Sequence, residues 1–275
     1  MPQVTLPQGE IAYTDSGDGP VVVFLHGPLM DGSVWQPVIR LLAPHVRCLA
    51  PTLPLGAHRI PVNGGRRDHS LAFFGDLVLD FLQALDVEDA TVVGNDHAAV
   101  LAVAVRHGPR VGRLVITSCE AYDNYPPGAG GRALATLSRI PGGLALLAQL
   151  ARSAPLRRRL LADMALHGID DELSAGWFAP LRREEIRDDL RAYTRPDRRH
   201  EMHRICADLG SVDVPCLVVW TPDDRLQDPT HGARLAHDIP DAELVEIADS
   251  STLIMLDQPE QLAAAIRSFL GRVLS

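Results

Sequence analysis

Apolar residues along this chain gather in short unbroken runs separated by longer stretches of helical spacing. Val21-Val22-Val23-Phe24-Leu25 is continuous and ends in His26-Gly27, a pattern that predicts a strand buried on both faces. Similar runs predict strands from Val46 to Ala50, Ala90 to Gly94, Leu114 to Ser118, Cys216 to Trp220 and Glu243 to Ile247. Between them, apolar residues at helical spacing predict helices from Val34 to Leu42, Leu71 to Leu85, His97 to Arg106, His231 to His237 and Pro259 to Val273. Pro51, Pro54, Gly56 and Pro61 mark a loop. From about Glu120 to Gly210 the strand pattern is absent. That stretch is Ala-, Leu- and Arg-rich, is broken at Pro141-Gly142-Gly143, Pro155, Gly168 and Pro180, and predicts several short helices.

Strands alternating with helices imply an α/β fold with a mostly parallel sheet covered on both faces. The predicted division is a core of residues 1–120 and 211–275 with a helical cap at 121–210. The cap falls between two strands and over their carboxyl ends, where open α/β sheets bind ligands. No internal repeat or low-complexity segment interrupts this plan.

The sharpest local feature is Gly94-Asn95-Asp96-His97-Ala98, which joins a strand directly to a helix. Such a turn forces its central residue into a strained backbone conformation and needs small residues two positions to either side. Gly94 and Ala98 supply them, so Asp96 should stand above the sheet at a helix N-terminus, whose partial positive charge would face it. Taken alone, an aspartate here is more often a helix N-cap. The preceding buried strand and the His26-Gly27 turn after an earlier strand favour the elbow.

These pieces, with Trp220-Thr221-Pro222-Asp223-Asp224 after a strand and Asp257-Gln258-Pro259-Glu260 opening the last helix, resemble the α/β-hydrolase superfamily over nearly the whole chain. The resemblance implies an α/β-hydrolase fold with the cap inserted after the sixth strand. Aspartate at the elbow is similar to the epoxide hydrolase and haloalkane dehalogenase branch. There a carboxylate attacks carbon and a histidine-activated water hydrolyses the resulting ester. The implied acid partner is Asp224, or alternatively Glu120, which follows the sixth strand.

Two positions depart from the family pattern. Counting back seven residues from Pro259, where the catalytic histidine is expected, gives Thr252, and no histidine follows His237. A threonine hydroxyl is no base near neutral pH. The residue after His26-Gly27, which in the family commonly gives a backbone N–H to an oxyanion, is Pro28, which has none. His97 and Leu29 are the remaining candidate donors. Among other histidines, His97 should point away from Asp96, His26 reads as structural, and His58, His69 and His167 lie in loops or the cap. Trp35, Tyr122, Tyr125, Trp177 and Tyr193 are the candidate pocket walls, and two tyrosines over Asp96 would favour epoxide opening. His97 stands where dehalogenases carry a halide-binding tryptophan, which weakens the dehalogenase alternative.

Three readings follow. Epoxide-hydrolase-like hydrolysis through Asp96 is the first. A cofactor-independent elimination, cyclisation or isomerisation, with Asp96 as general acid or base, is the second. A catalytically inactive ligand-binding relative is the third. Composition narrows the partners. The net charge of −9 over 275 residues argues against nucleic acid and anionic membrane, in spite of the run Arg157-Arg158-Arg159. The four cysteines are scattered and no metal cluster, phosphate loop or dinucleotide fingerprint occurs, so neither a metal nor a cofactor is expected. The expectation is a cytoplasmic protein acting on a small or medium apolar molecule, with room for a homodimer and no membrane span.

Overall fold

A computed structural model describes residues 1–62, 69–106 and 108–273. The strands are β1 (Gln3–Leu6), β2 (Gly9–Ser16), β3 (Val21–Leu25), β4 (Arg47–Pro51), β5 (Ala90–Asp96), β6 (Val111–Cys119), β7 (Cys216–Trp220) and β8 (Ala242–Glu246). They form one sheet in the order β1-β2-β4-β3-β5-β6-β7-β8. The pairs from β4 to β8 are parallel, and β2 runs antiparallel to both of its neighbours, β1 and β4. The fold is therefore the expected mostly parallel α/β sheet. Strands β3 and β5 are buried almost throughout, as continuous apolar runs covered on both faces must be.

The N-terminal hairpin β1–β2 was not among the predicted elements. Its signal is the alternation that buries Ile11 and Tyr13 and leaves Glu10, Ala12 and Thr14 partly or fully accessible, with Gly9 at the turn at φ 145°.

The helices α1 (Gln36–Leu42), α2 (Leu71–Ala84), α3 (Ala99–Ala104), α10 (His231–Asp238), α11 (Ile254–Asp257) and α12 (Pro259–Val273) flank the sheet. Ser70 caps α2 by accepting from the Phe73 N–H. Helix α3 is shorter than the predicted 97–106, because His97 and Ala98 belong to the turn that leaves β5. Between β6 and β7 lie α4 (Gly128–Arg139), α5 (Gly143–Leu150), α6 (Ala154–Leu160), α7 (Asp171–Phe178), α8 (Glu184–Thr194) and α9 (Arg199–Ala207).

The chain crosses from β3 outward to β4 and then back past β3 to β5. The crevice at the carboxyl ends of β3 and β5 is thus the switch point at which such sheets bind ligands. His26-Gly27 ends the first strand and Asp96 ends the second.

Candidate active site

Asp96 has φ 61°, in the left-handed region that a non-glycine residue occupies at a cost on the order of 1–3 kcal/mol. Neighbouring contacts hold it there. A Cβ on Gly94 would lie 2.4 Å from Val100, so the strand and α3 can close on each other only over glycine. A Cβ on Gly27 would lie 2.2 Å from Asp96 Oδ2, so the carboxylate rests directly against the turn after β3. The Glu120 N–H donates to the Asp96 carbonyl at 2.9 Å, which ties the elbow to the end of β6.

Three carboxyl groups share this region. Asp96 is buried, and burial first, then the charge of Asp224, push its carboxyl from the usual 3.8 up to about 7, with the Gln227 amide pulling it partly back. Glu120 is also buried. Burial and the Asp96 charge hold its carboxyl well above the usual range, opposed by the Tyr193 hydroxyl and the Ala98 amide. The Tyr193 hydroxyl lies 3.1 Å from Glu120 Oε1 and 3.3 Å from Oε2. The amide at the start of α3 therefore bears on Glu120, whereas the expectation from the elbow alone was that it faces Asp96. Asp224 is raised chiefly by burial, and its Oδ1 accepts from the Leu226 and Gln227 N–H groups, each at 2.9 Å.

Thr252 and Gln227 connect these groups. The Thr252 hydroxyl donates to Asp224 Oδ1 at 2.7 Å, and its carbonyl accepts from Asn95 Nδ2 at 2.7 Å. Asp224 Oδ2 is buried and has no hydrogen-bond partner among the described residues. Gln227 Nε2 donates to Asp96 Oδ1 at 3.0 Å, while Gln227 Oε1 accepts from Asn124 Nδ2 at 3.0 Å. Sequence reasoning missed Gln227. Its sole advance signal is its place three residues after Asp224 on the same loop.

No imidazole is hydrogen-bonded to the Asp96 carboxylate among the described residues. His26 Nδ1 meets the Gly27 carbonyl at 2.8 Å and Nε2 accepts from the Leu53 N–H at 2.8 Å; burial lowers it to about 4. His97 Nδ1 accepts from the Ala99 N–H at 3.2 Å, its ring sits edge-on between Phe74 and Tyr193, and burial lowers it to about 3. His58 meets Asp189 of α8 at 2.9 Å, and His69 stacks on Phe73. His167 lies on the surface against Asp249 at 3.2 Å.

The backbone donors proposed from sequence are engaged elsewhere. The Leu29 N–H donates to the Leu55 carbonyl at 2.9 Å and that of His97 turns back to the Asn95 carbonyl at 2.6 Å.

A cavity of about 150 Å³ lies over Asp96, lined by Pro28, Leu29, Glu120, Tyr125, Phe178, Tyr193 and Leu226 and by α4 to α6. Trp35, Trp177 and Tyr122 do not line it. Each polar tip finds its partner elsewhere, which turns the ring away from Asp96. The Trp35 indole donates to the Leu25 carbonyl at 3.2 Å, and that of Trp177 to Ser33 Oγ at 3.0 Å. The Tyr122 hydroxyl donates to Asp238 at 2.8 Å under the Arg234 guanidinium. The walls are thus mostly aliphatic, with the carboxyls of Asp96, Glu120 and Asp163, the phenols of Tyr125 and Tyr193 and the hydroxyl of Thr194 as polar groups. This arrangement can accept and return protons beside mostly apolar walls, and it suits an uncharged apolar molecule.

Comparisons with known proteins agree with the architecture. Residues 22–265 match the model of the alpha/beta hydrolase family. A haloalkane dehalogenase of Mesorhizobium japonicum is 32% identical over 149 residues, which is 51% of this chain and 47% of that protein, so the match spans about half the dehalogenase. A 2-hydroxy-6-oxononadienedioate/2-hydroxy-6-oxononatrienedioate hydrolase of Comamonas testosteroni is 25% identical over 256 residues, 85% of this chain and 82% of that one. Among solved structures, a meta-cleavage product hydrolase from Pseudomonas fluorescens superposes with a TM-score of 0.81 at 18% identity, covering 99% of this chain and 98% of that chain. At that identity the likeness is one of fold.

Proposed function

The chain belongs to the alpha/beta hydrolase family, and from that premise we propose that it is an enzyme of this fold that works by proton transfer at Asp96 on a small or medium, uncharged, apolar substrate. The observation that carries the proposal is the surroundings of the Asp96 carboxylate. It meets an amide, Gln227 Nε2, and no imidazole among the described residues, while its carboxyl is poised near pH 7. At the place where the family pattern expects a base, the Thr252 hydroxyl is committed to Asp224.

A carboxyl poised near the working pH is matched to general acid–base chemistry. Ionised Asp96 takes a proton from a substrate carbon or hydroxyl. Tyr193 gives one to the oxygen that gains charge, and the protonated Glu120 behind it restores the phenol. The cycle closes when the proton taken by Asp96 passes back to Glu120 across the cavity that both groups line, so that an elimination, isomerisation or cyclisation leaves all three groups as they began and consumes no water. Burial of Asp96 and Glu120 beneath the cavity strengthens each of these interactions.

One further observation favours a second reading. Tyr125 and Tyr193 both line the cavity with Asp96, the pairing expected for epoxide opening. In that case Asp96 attacks carbon, the C–O bond breaks, and a phenol protonates the departing oxygen. The ester so formed would then need a base for its hydrolysis.

Two probes separate the readings. With 5-nitrobenzisoxazole, whose ring opens on removal of one proton, turnover should rise with pH through an inflection near 7 and be lost in Asp96→Asn. With styrene oxide in ¹⁸O-labelled water, no labelled diol and no label in the Asp96 carboxylate should form. A base-probe rate unchanged in Asp96→Asn, or label in either place, overturns the proton-transfer reading.

A further inference from the structure

Exposed apolar side chains are unevenly placed. Ile140, Leu146, Leu150, Leu156 and Leu160 are exposed within one part of the insertion, whereas among the described residues only Met1 and Leu41 join them from elsewhere. Leu146 and Leu150 share a face of α5 by their spacing, as Leu156 and Leu160 do on α6. Charge is uneven in the same place. From Asn124 to Ala162 the chain carries six arginines and no aspartate or glutamate, in a protein whose net charge is −9. Arg157 is buried and spends its guanidinium on the Ala151, Arg152 and Asp171 carbonyls. Arg132, Arg139, Arg152, Arg158 and Arg159 are exposed, Arg158 pairing with Asp171.

We infer that the face formed by α4 to α6 docks on an anionic lipid surface and takes apolar substrate from it. Leucines set among arginines fit the boundary between acyl chains and phosphate headgroups, where alkyl side chains leave water and guanidinium groups meet phosphate. A second copy fits less well, because a two-fold contact would set these arginines against their own counterparts. Nucleic acid offers phosphate and no place for the leucines. The face is also continuous with the cavity. Leu160, Gly130 and Ala133 are exposed and at the same time line the space over Asp96. A lipophilic molecule dissolved in the bilayer therefore meets the mouth without crossing water. The overall charge of −9 predicts the opposite, since it averages this basic face with the acidic remainder of the chain.

The test is co-sedimentation of the full chain with phosphatidylcholine vesicles with and without phosphatidylglycerol. Binding should appear on the mixed vesicles, stay weak on neutral ones and fall as salt rises beyond ~0.15 M. Leu150→Asp with Leu156→Asp should lower the bound fraction at least ~tenfold, and Arg152→Glu with Arg159→Glu should do the same on anionic vesicles. All four positions are exposed, so the fold should tolerate the changes. Leu41→Asp, on α1, should bind like the parent. Asp96→Asn should also bind like the parent, so failure of the proton-transfer reading and failure of this one are separate results. Absence of binding to mixed vesicles, an equal loss in Leu41→Asp, or self-association abolished by the leucine changes overturns the inference.

Discussion

Asp96 carries a cost that depends on pH. Its carboxyl is raised from 3.8 to about 7 in the folded state, so between those values the folded chain holds a proton that the unfolded chain has released. Stability is therefore unaffected by Asp96 below about pH 4, declines as pH rises through the window, and bears the full cost above 7. At about 1.4 kcal/mol per pH unit, that cost is on the order of 4 kcal/mol. Asp96→Asn keeps an oxygen for Gln227 and removes the charge. It should melt higher than the parent at pH 8, by at least ~4 °C, with the gap closing towards pH 4; a gap independent of pH would show that charge burial is not the cause. Gln227 works in the other direction, since its amide donates to Asp96 Oδ1 and lowers the carboxyl. Gln227→Met should move the inflection of the base-probe profile upward by about one pH unit. An inflection that stays in place would remove Gln227 from the account of Asp96.

The elbow shows how an element can be legible while its neighbourhood is not. Strand β5 and helix α3 approach so closely at Gly94 that a single methyl group would meet Val100 at 2.4 Å. Gly94→Ala should lose roughly 1–3 kcal/mol, the usual result of overpacking a core, and unfold at lower urea with an unchanged slope. That demand for small residues could be read from Gly94-Asn95-Asp96-His97-Ala98, because a strand-to-helix turn has few sterically allowed forms. The buried strands could be read for a similar reason, continuous apolar runs having few alternatives in a parallel sheet. The β1–β2 hairpin escaped because its apolar residues alternate over only a few positions and carry little weight alone. Side-chain directions escaped for a different reason. Whether Trp35, Trp177 and Tyr122 face the cavity is decided by which carbonyl, hydroxyl or carboxylate their polar tips reach, and those partners are distant in sequence. The bond from Gln227 to Asp96 joins two loops in the same way.

Over the whole molecule, buried histidines and buried carboxyls oppose one another as pH falls. Burial lowers His26 and His69 to about 4 and His97 to about 3, so between pH 6.5 and 4 the unfolded chain binds protons at these three sites that the folded chain refuses. That favours unfolding in acid. Asp96 and Glu120 are raised and act oppositely over the same range, because the folded chain keeps their protons. His231 is lowered and Asp224 is raised, so these two act in opposite directions. Among His26, His69, His97, Asp96 and Glu120, three against two leaves about one net proton taken up on unfolding, on the order of 1.4 kcal/mol lost per pH unit between pH 6 and 5. His97 is the informative site to change. Its ring packs edge-on against Phe74 at 4.6 Å and Tyr193 at 4.9 Å, and its Nε2 is buried without a hydrogen-bond partner among the described residues. His97→Phe keeps the ring and removes one of the three proton sites. Urea unfolding at pH 6.0, 5.5 and 5.0 should then show a decline in the parent and a nearly level stability in the variant. A parent that grows more stable in acid would mean that the carboxyls outweigh the histidines. The proton held at Asp96 and Glu120 would then dominate the pH response of the fold as well as the chemistry of the cavity.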